Sequence, residues 1–128
     1  MAMRIMAGLI GLAYVVNGVG MVVDPELWYA AIPGVPEAGP MNSHFIRDIG
    51  FIYLLSGAAF GFASLKPAHL AIACAIGGAW PAAHALFHVI EWLQHGLQPG
   101  RVLIAESCGV ILPAALGLVI AWRARHRY

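Results

Sequence analysis

Residues 68–93 read AHLAIACAIGGAWPAAHALFHVIEWL, and Glu91 is the one residue in this run with a fixed charge. A helix needs about 20 apolar residues to cross the hydrocarbon core of a bilayer, which is about 30 Å thick. The run is long enough for that crossing, so it predicts a transmembrane helix. Three similar apolar runs stand at about residues 5–23, 45–65 and 102–122.

The composition is that of a protein whose main solvent is lipid, because 61% of the residues are hydrophobic and 10% are charged. Four spans in 128 residues leave almost no room for a soluble domain. The sequence therefore predicts one all-α domain over residues 1–128, a four-helix transmembrane bundle. The first run follows Arg4 as in a signal peptide, but it is long for one and no clear cleavage site follows, so a retained helix is expected.

Basic residues predict the orientation of the bundle in the membrane. Arg123, Arg125 and Arg127 crowd the C-terminal end, whereas the loop over residues 24–43 carries three acidic residues and no basic one. Four spans place both termini on one side, and the positive-inside rule makes that side cytoplasmic. The aromatic and apolar content of the loop predicts a segment lying in the outer interface. The near-zero net charge argues against nucleic acid as a partner, which leaves the lipid bilayer.

Small residues and prolines predict how the helices pack. Glycines on all four runs would let helix backbones approach closely, among them Gly57 and Gly61 in a G-x-x-x-G pattern. Tight packing within one chain is preferred to a dimer interface. Pro81 and Pro113 fall near mid-membrane, where each removes a helix hydrogen bond and favours a kink.

Ionisable residues inside the apolar runs form three groups. Such residues are costly in the hydrocarbon and mark a functional site by default. The groups comprise His44, Arg47 and Asp48; His84, His88, Glu91 and His95; and Glu106. The second and fourth helices enter from outside and the third runs outward. A rise of about 1.5 Å per residue then places all three groups at one depth, roughly the outer third of the bilayer.

Helical phase agrees with this common depth. His44 and Asp48 are four residues apart, and the second group follows a 4-3-4 spacing along one stripe. If the histidines are neutral, Arg47 against Asp48, Glu91 and Glu106 leaves a net charge of minus two in a shared pocket. That charge must be met by bound protons or by a cation.

Imidazole and carboxylate together suit a transition-metal ion, namely zinc, iron, manganese or copper. The predicted ligands are His44, Asp48, His84, His88, Glu91 and Glu106, with Arg47, Asn17 and His95 supporting them from outside the ligand set. A b-type haem between His44 and His88 or His84 would put carboxylates beside its axial ligands, which is unusual. A metal ion is therefore preferred to haem.

An ion-pair network is the competing interpretation of the same residues. Arg47 would pair with Glu106 or Asp48, and protonated histidines would take the other carboxylates. The protein would then be a non-catalytic structural or assembly subunit of a larger membrane complex. No motif for hydrolase, thioredoxin-like or nucleotide-binding chemistry occurs in the sequence. Whether a metal-binding protein of this kind is an enzyme stays open.

Residues 42–50, NSHFIRDIG, together with DPELWY at 24–29 and HALFH at 84–88, resemble segments of small bacterial four-helix membrane proteins of the broad DoxX-like kind. The resemblance covers most of the chain. It implies a four-helix bundle in the bacterial inner membrane, whose outer half would face the periplasm. Some DoxX-like proteins are associated with quinone-linked oxidoreductase complexes, so the resemblance keeps redox chemistry open. It assigns no catalytic residue.

We predict that both termini face the cytoplasm and that the loop over residues 24–43 faces the periplasm, because Arg4, Lys66 and Arg123 follow the positive-inside rule. A phosphatase that works only in the periplasm should be inactive when it is fused after Tyr128. The same enzyme inserted in the loop should be active and serves as the control. An active C-terminal fusion would contradict the predicted orientation.

Overall fold

The computed structural model describes residues 1–98 and 100–126, and this part of the chain is helical without any strand. In chain order the helices are α1 (Ala2–Val23), α2 (Pro25–Ala31), α3 (Val35–Ala38), α4 (Ser43–Leu65), α5 (Leu70–His95), α6 (Arg101–Glu106) and α7 (Leu112–Arg125). A 3-10 turn (Pro67–His69) precedes α5, and a π-helical turn (Ser107–Ile111) joins α6 to α7.

Four helical stretches are long and apolar enough to cross a membrane, at residues 2–23, 43–65, 67–95 and 101–125. They confirm the four predicted spans and the all-α bundle. We call the end of the bundle that holds Val23, Ser43 and His95 the loop end, and the opposite end, which holds Ala2 and Arg125, the terminal end. The loop before α4 is more ordered than the sequence predicted, because it contains α2 and α3.

Side-chain caps fix where the helices at the loop end begin. Asp24 follows α1, and its Oδ1 atom accepts a hydrogen bond of 3.0 Å from the Leu27 N–H at the start of α2. Pro25 occupies the first position of α2, where its missing N–H costs nothing. Asn42 caps α4 in the same way by accepting from the Phe45 N–H at 3.1 Å.

Glycines allow α1 and α4 to pack with their backbones almost in contact. A Cβ atom at Gly57 would lie 2.8 Å from the Gly11 carbonyl oxygen, and one at Gly18 would lie 2.7 Å from the Gly50 carbonyl oxygen. Such distances leave no room for any side chain. Because the two pairs are seven residues apart on each helix and run in opposite directions, they fix an antiparallel register over two helical turns.

Phe60 on α4 is the centre of the bundle, with no exposed surface. Its ring occupies the space that glycines leave open on the two other neighbouring helices. A Cβ atom would lie 3.3 Å from the ring at Gly77 of α5 and 2.7 Å from it at Gly117 of α7. Phe60 also meets the ring of Tyr14 on α1 edge to face, at a centroid distance of 5.8 Å. One side chain thus joins all four spans.

The fourth span is packed in only one of its halves. Ala114, Gly117, Ile120 and Ala124 of α7 are buried, whereas no residue of α6 or the π turn is. The buried part of this span therefore lies toward the terminal end. Toward the loop end, α6 depends on a few specific contacts.

We predict that Gly57→Ala destabilises the bundle by about 1–3 kcal/mol, which is typical of overpacking. The new Cβ atom would lie 2.7 Å from Val15 Cγ2 as well as 2.8 Å from the Gly11 carbonyl. Gly61→Ala is the matched control, because a Cβ atom at Gly61 meets nothing within 4 Å. Thermal unfolding in detergent, followed by circular dichroism, measures both. Equal stability of the two variants would contradict the packing described.

Candidate functional site

The carboxyl group of Glu106 joins α5 to α6. Its Oε1 atom lies 3.0 Å from His88 Nδ1, and its Oε2 atom accepts a hydrogen bond of 2.6 Å from the indole N–H of Trp92. The side chains of His88 and Glu106 are only 19% and 18% exposed. Both carboxyl oxygens thus have partners in a largely apolar layer, as a polar group needs there. We call these three residues the clasp.

The sequence around the clasp explains its placement. His88 and Trp92 are one helical turn apart on α5, so their side chains lie one above the other on one face. Glu106 is the last residue of α6, and the π turn starts directly after it. In that turn the Leu112 N–H donates to the Ser107 carbonyl, five residues earlier. Such turns are frequent at functional sites.

The two prolines behave differently from each other. Pro113 is the second residue after the π turn, and the wider turn lets the helix accommodate the carbonyl group that the proline ring displaces. The predicted irregularity before Pro113 thus takes the form of a π turn. Pro81, in contrast, lies inside α5, which continues through it as a single helix.

A row of aromatic rings continues from the clasp toward the middle of the bundle. His84 meets His88 edge to face at 4.8 Å and stacks on Trp80 at 4.9 Å, both measured between ring centroids. Tyr53 lies 5.2 Å beyond Trp80, and Tyr14 lies 5.4 Å beyond Tyr53. The Tyr14 hydroxyl is buried and has no hydrogen-bond partner among the residues that the structure describes.

The other predicted ligands form two separate pairs. His44 Nε2 lies 3.3 Å from Asp48 Oδ2, and these side chains are 88% and 60% exposed. Glu91 Oε2 lies 3.5 Å from His95 Nδ1, and the side chains of His95 and Glu91 are 63% and 44% exposed. Each pair joins residues four apart on one helix. Neither pair includes a residue of the clasp.

The predicted supporting residues also have other partners. Arg47 donates from Nε to the Val22 carbonyl at 3.2 Å, and within the described part of the chain it makes no ion pair with a carboxylate. Asn17 Oδ1 accepts from the indole N–H of Trp28 at 2.9 Å. Asn17 therefore ties α2 to α1, and Arg47 ties α4 to the end of α1.

Of the six predicted ligands, His88 contacts both His84 and Glu106. The structure leaves the His44–Asp48 pair and Glu91 outside that group. Within residues 1–98 and 100–126, no three His, Cys, Asp or Glu side chains already stand in an arrangement that could hold a metal ion. The metal site therefore stays a prediction, and it now concerns the smaller set.

Sequence reasoning missed the two tryptophans of the site. Trp80, His84, His88 and Trp92 recur every four residues on α5, which places them on one face. The sequence prediction instead used the 4-3-4 spacing of the ionisable residues, which includes Glu91 and His95. The regular four-residue spacing of large aromatic and imidazole rings was the signal that could have identified this face.

A second contact holds α6 in place. Gly34, between α2 and α3, has a left-handed backbone with φ of 92° and lies against Val102 of α6. A Cβ atom at Gly34 would come within 2.9 Å of Val102 Cγ1. The loop before α4 thus reaches across the loop end of the bundle to the helix that carries Glu106.

We predict that Glu106→Ala lowers the stability of the bundle by about 1–3 kcal/mol, because the substitution leaves the Trp92 N–H without its acceptor in an apolar layer. Glu91→Ala is the matched control, since it removes only an exposed pair within one helix, worth about 0.3–0.5 kcal/mol. Thermal unfolding in detergent separates them. An equal loss of stability in both variants would show that the clasp stabilises the bundle no more than the Glu91–His95 pair does.

The chain matches no protein-family model, no curated protein and no solved structure. The function must therefore be argued from the clasp and its surroundings.

Proposed function

We propose that this multi-pass membrane protein binds a transition-metal ion through His84, His88 and Glu106. The observation that carries the proposal is that His88 contacts the other two residues, the His84 ring on α5 and the Glu106 carboxyl group on α6, in a partly buried layer. Two imidazoles and one carboxylate form a ligand set that zinc and non-haem iron use in proteins. Such a set leaves coordination positions open for water or substrate.

The distance between His88 and Glu106 is compatible with two ligands of one ion. Ligand atoms that each lie about 2.0–2.2 Å from a metal, at roughly tetrahedral or octahedral angles, are about 3 Å apart. His88 Nδ1 and Glu106 Oε1 are separated by 3.0 Å. An ion could therefore replace the hydrogen bond between them with little movement of either helix.

The neighbours of these residues fit supporting roles. Trp92 would keep its hydrogen bond to Glu106 Oε2 while Oε1 faced the ion, and such outer hydrogen bonds orient metal ligands. His84 makes no hydrogen bond to any described residue, so its ring nitrogens are available. To reach the same ion, the His84 ring would have to turn from its stack on Trp80. That turn is the main rearrangement the proposal requires.

The proposal also includes the membrane in which the site lies and the side that the site faces. The positive-inside rule and the DoxX-like resemblance together favour a bacterial inner membrane, with cytoplasmic termini and the clasp in the periplasmic half. Iron, copper or manganese at the site would permit redox chemistry, whereas zinc would not.

A second function is favoured by one specific observation. Both oxygens of Glu106 already have partners, so the clasp is complete without any ion. On this alternative, the protein is a non-catalytic subunit of a membrane complex, and the clasp holds the poorly packed α6 against α5. The ion-pair network through Arg47 is not needed, because the Val22 carbonyl accepts from its Nε atom.

We predict that the protein, purified in detergent without chelator, retains close to one metal ion per chain by elemental analysis. His88→Ala and Glu106→Gln should each reduce retention by about tenfold or more, because removing a ligand weakens affinity strongly. His84→Ala should do the same. Cobalt added to stripped protein should give visible absorption bands that the three variants lack.

Matched controls come from the two exposed pairs. His44→Ala, Asp48→Asn and Glu91→Gln should retain the metal, because these residues lie outside the group formed by His84, His88 and Glu106. Metal loss in the control variants would contradict the three-ligand set. Wild-type protein that never holds metal above background, even after incubation with zinc, iron, manganese or copper, would favour the structural alternative.

A further inference from the structure

A groove lies between α1 and α4 at the terminal end, whereas the clasp lies toward the loop end. It has a volume of about 410 Å³ and is lined by Met1, Arg4, Ile5, Gly8 and Ser64. Arg4 and Gly8 are four positions apart on α1 and Ile5 and Gly8 are three apart, so these three residues lie on one side of that helix. The groove is open here because Gly8 has no side chain and the side chain of Ser64 is short.

Arg4 is held at this groove by a specific contact. Its Nε atom donates a hydrogen bond of 2.8 Å to the Ser64 carbonyl near the end of α4. An arginine side chain has five N–H donors in a fixed planar fork, so four remain for another partner. Because one donor is fixed by α4, the remaining donors are positioned before any ligand arrives.

The acidic side chains of the protein are remote from this arginine. All six acidic residues, Asp24, Glu26, Glu37, Asp48, Glu91 and Glu106, belong to the loop end. Arg4 makes no ion pair within the part of the chain that the structure describes. No acidic side chain therefore competes for the remaining donors of Arg4, which are open to an anion from outside the protein.

The position of the groove indicates the source of that anion. α1 and α4 are both long and apolar enough to cross a membrane, so the groove on their shared face opens to lipid near a membrane surface. A phosphate at the surface and an acyl chain below it match a cation above an apolar notch. We propose that the groove binds one anionic phospholipid, with its phosphate on Arg4 and one acyl chain along Gly8 and Ser64.

Lipid binding to the full-length protein tests this site. Native mass spectrometry in detergent should show one tightly retained phosphatidylglycerol per chain and weaker retention of phosphatidylcholine. Arg4→Gln should weaken phosphatidylglycerol binding about fivefold or more, because it removes the charge at the membrane surface. Arg4→Lys should recover only part of the affinity, because lysine lacks the planar fork.

A second variant tests the groove without altering any charge. A Cβ atom at Gly8 would lie 3.5 Å from Ser64, which is ordinary contact, so the fold tolerates a side chain there. Gly8→Leu should fill the notch and weaken phosphatidylglycerol binding about as much as Arg4→Gln does. Arg123→Gln is the matched control, because Arg123 is an exposed arginine at the same end that does not line the groove.

Three results would overturn the proposal. The first is equal retention of the two lipids, and the second is a loss in Arg123→Gln as large as in Arg4→Gln, which would indicate unspecific attraction. The third is displacement of the lipid by glycerol phosphate at equal concentration, which would mean that the acyl chain contributes nothing. If circular dichroism shows that a variant does not fold, the test uses the wild type and phosphatidylglycerols with progressively shorter acyl chains. These lipids should bind progressively more weakly, and equal binding of all of them would overturn the proposal. Metal retention at His88 is unaffected by any of these outcomes.

Discussion

The packing of the Phe60 ring into spaces left by glycines is the constraint on which the bundle depends. Without attraction of apolar surfaces in lipid, helices associate through close contact, and contact requires complementary shape. The Phe60 ring packs against Gly77 of α5 and Gly117 of α7. Close to it, α1 packs against α4 where Gly11 meets Gly57. Any side chain at these glycines would push a helix away. The fixed centre therefore determines both the register and the separation of all four spans.

The location of that centre explains why the candidate site is elsewhere. Gly117 belongs to α7, so the fourth span is anchored in the half that lies toward the terminal end. Beyond the π turn, α6 has no buried residue, and its tie to α5 is largely polar. A segment with few apolar contacts can move at low cost. The less packed half is thus where ion binding could alter structure, and the packed half is where it could not.

The sequence predicted the four spans because hydropathy and length alone determine them. It predicted the common depth of the polar residues for the same reason, since depth follows from position along each helix. It could not predict which way each helix is turned. The prediction puts His44 and Asp48 at the depth of His88, but His44 is 88% exposed because α4 turns its glycine face toward α1. Similarly, Gly57 and Gly61 look equivalent in the sequence, but an added Cβ atom would clash with α1 at Gly57 and would meet nothing within 4 Å at Gly61. Rotation about the helix axis depends on contacts between distant residues.

The two functions proposed for the site compete for a single atom. Glu106 Oε2 keeps its hydrogen bond to Trp92 on either interpretation. Glu106 Oε1 forms a hydrogen bond with His88 on one interpretation and binds the ion on the other. A hydrogen bond and a shared metal ion require nearly the same distance between His88 Nδ1 and Glu106 Oε1. The backbone positions would therefore be nearly the same with and without the ion. The difference is instead in His84, which stacks on Trp80 when the clasp is closed by hydrogen bonds and would leave that stack to complete a metal site. The orientation of the His84 ring, rather than the geometry of the Glu106 clasp, is therefore what separates a structural clasp from a metal centre.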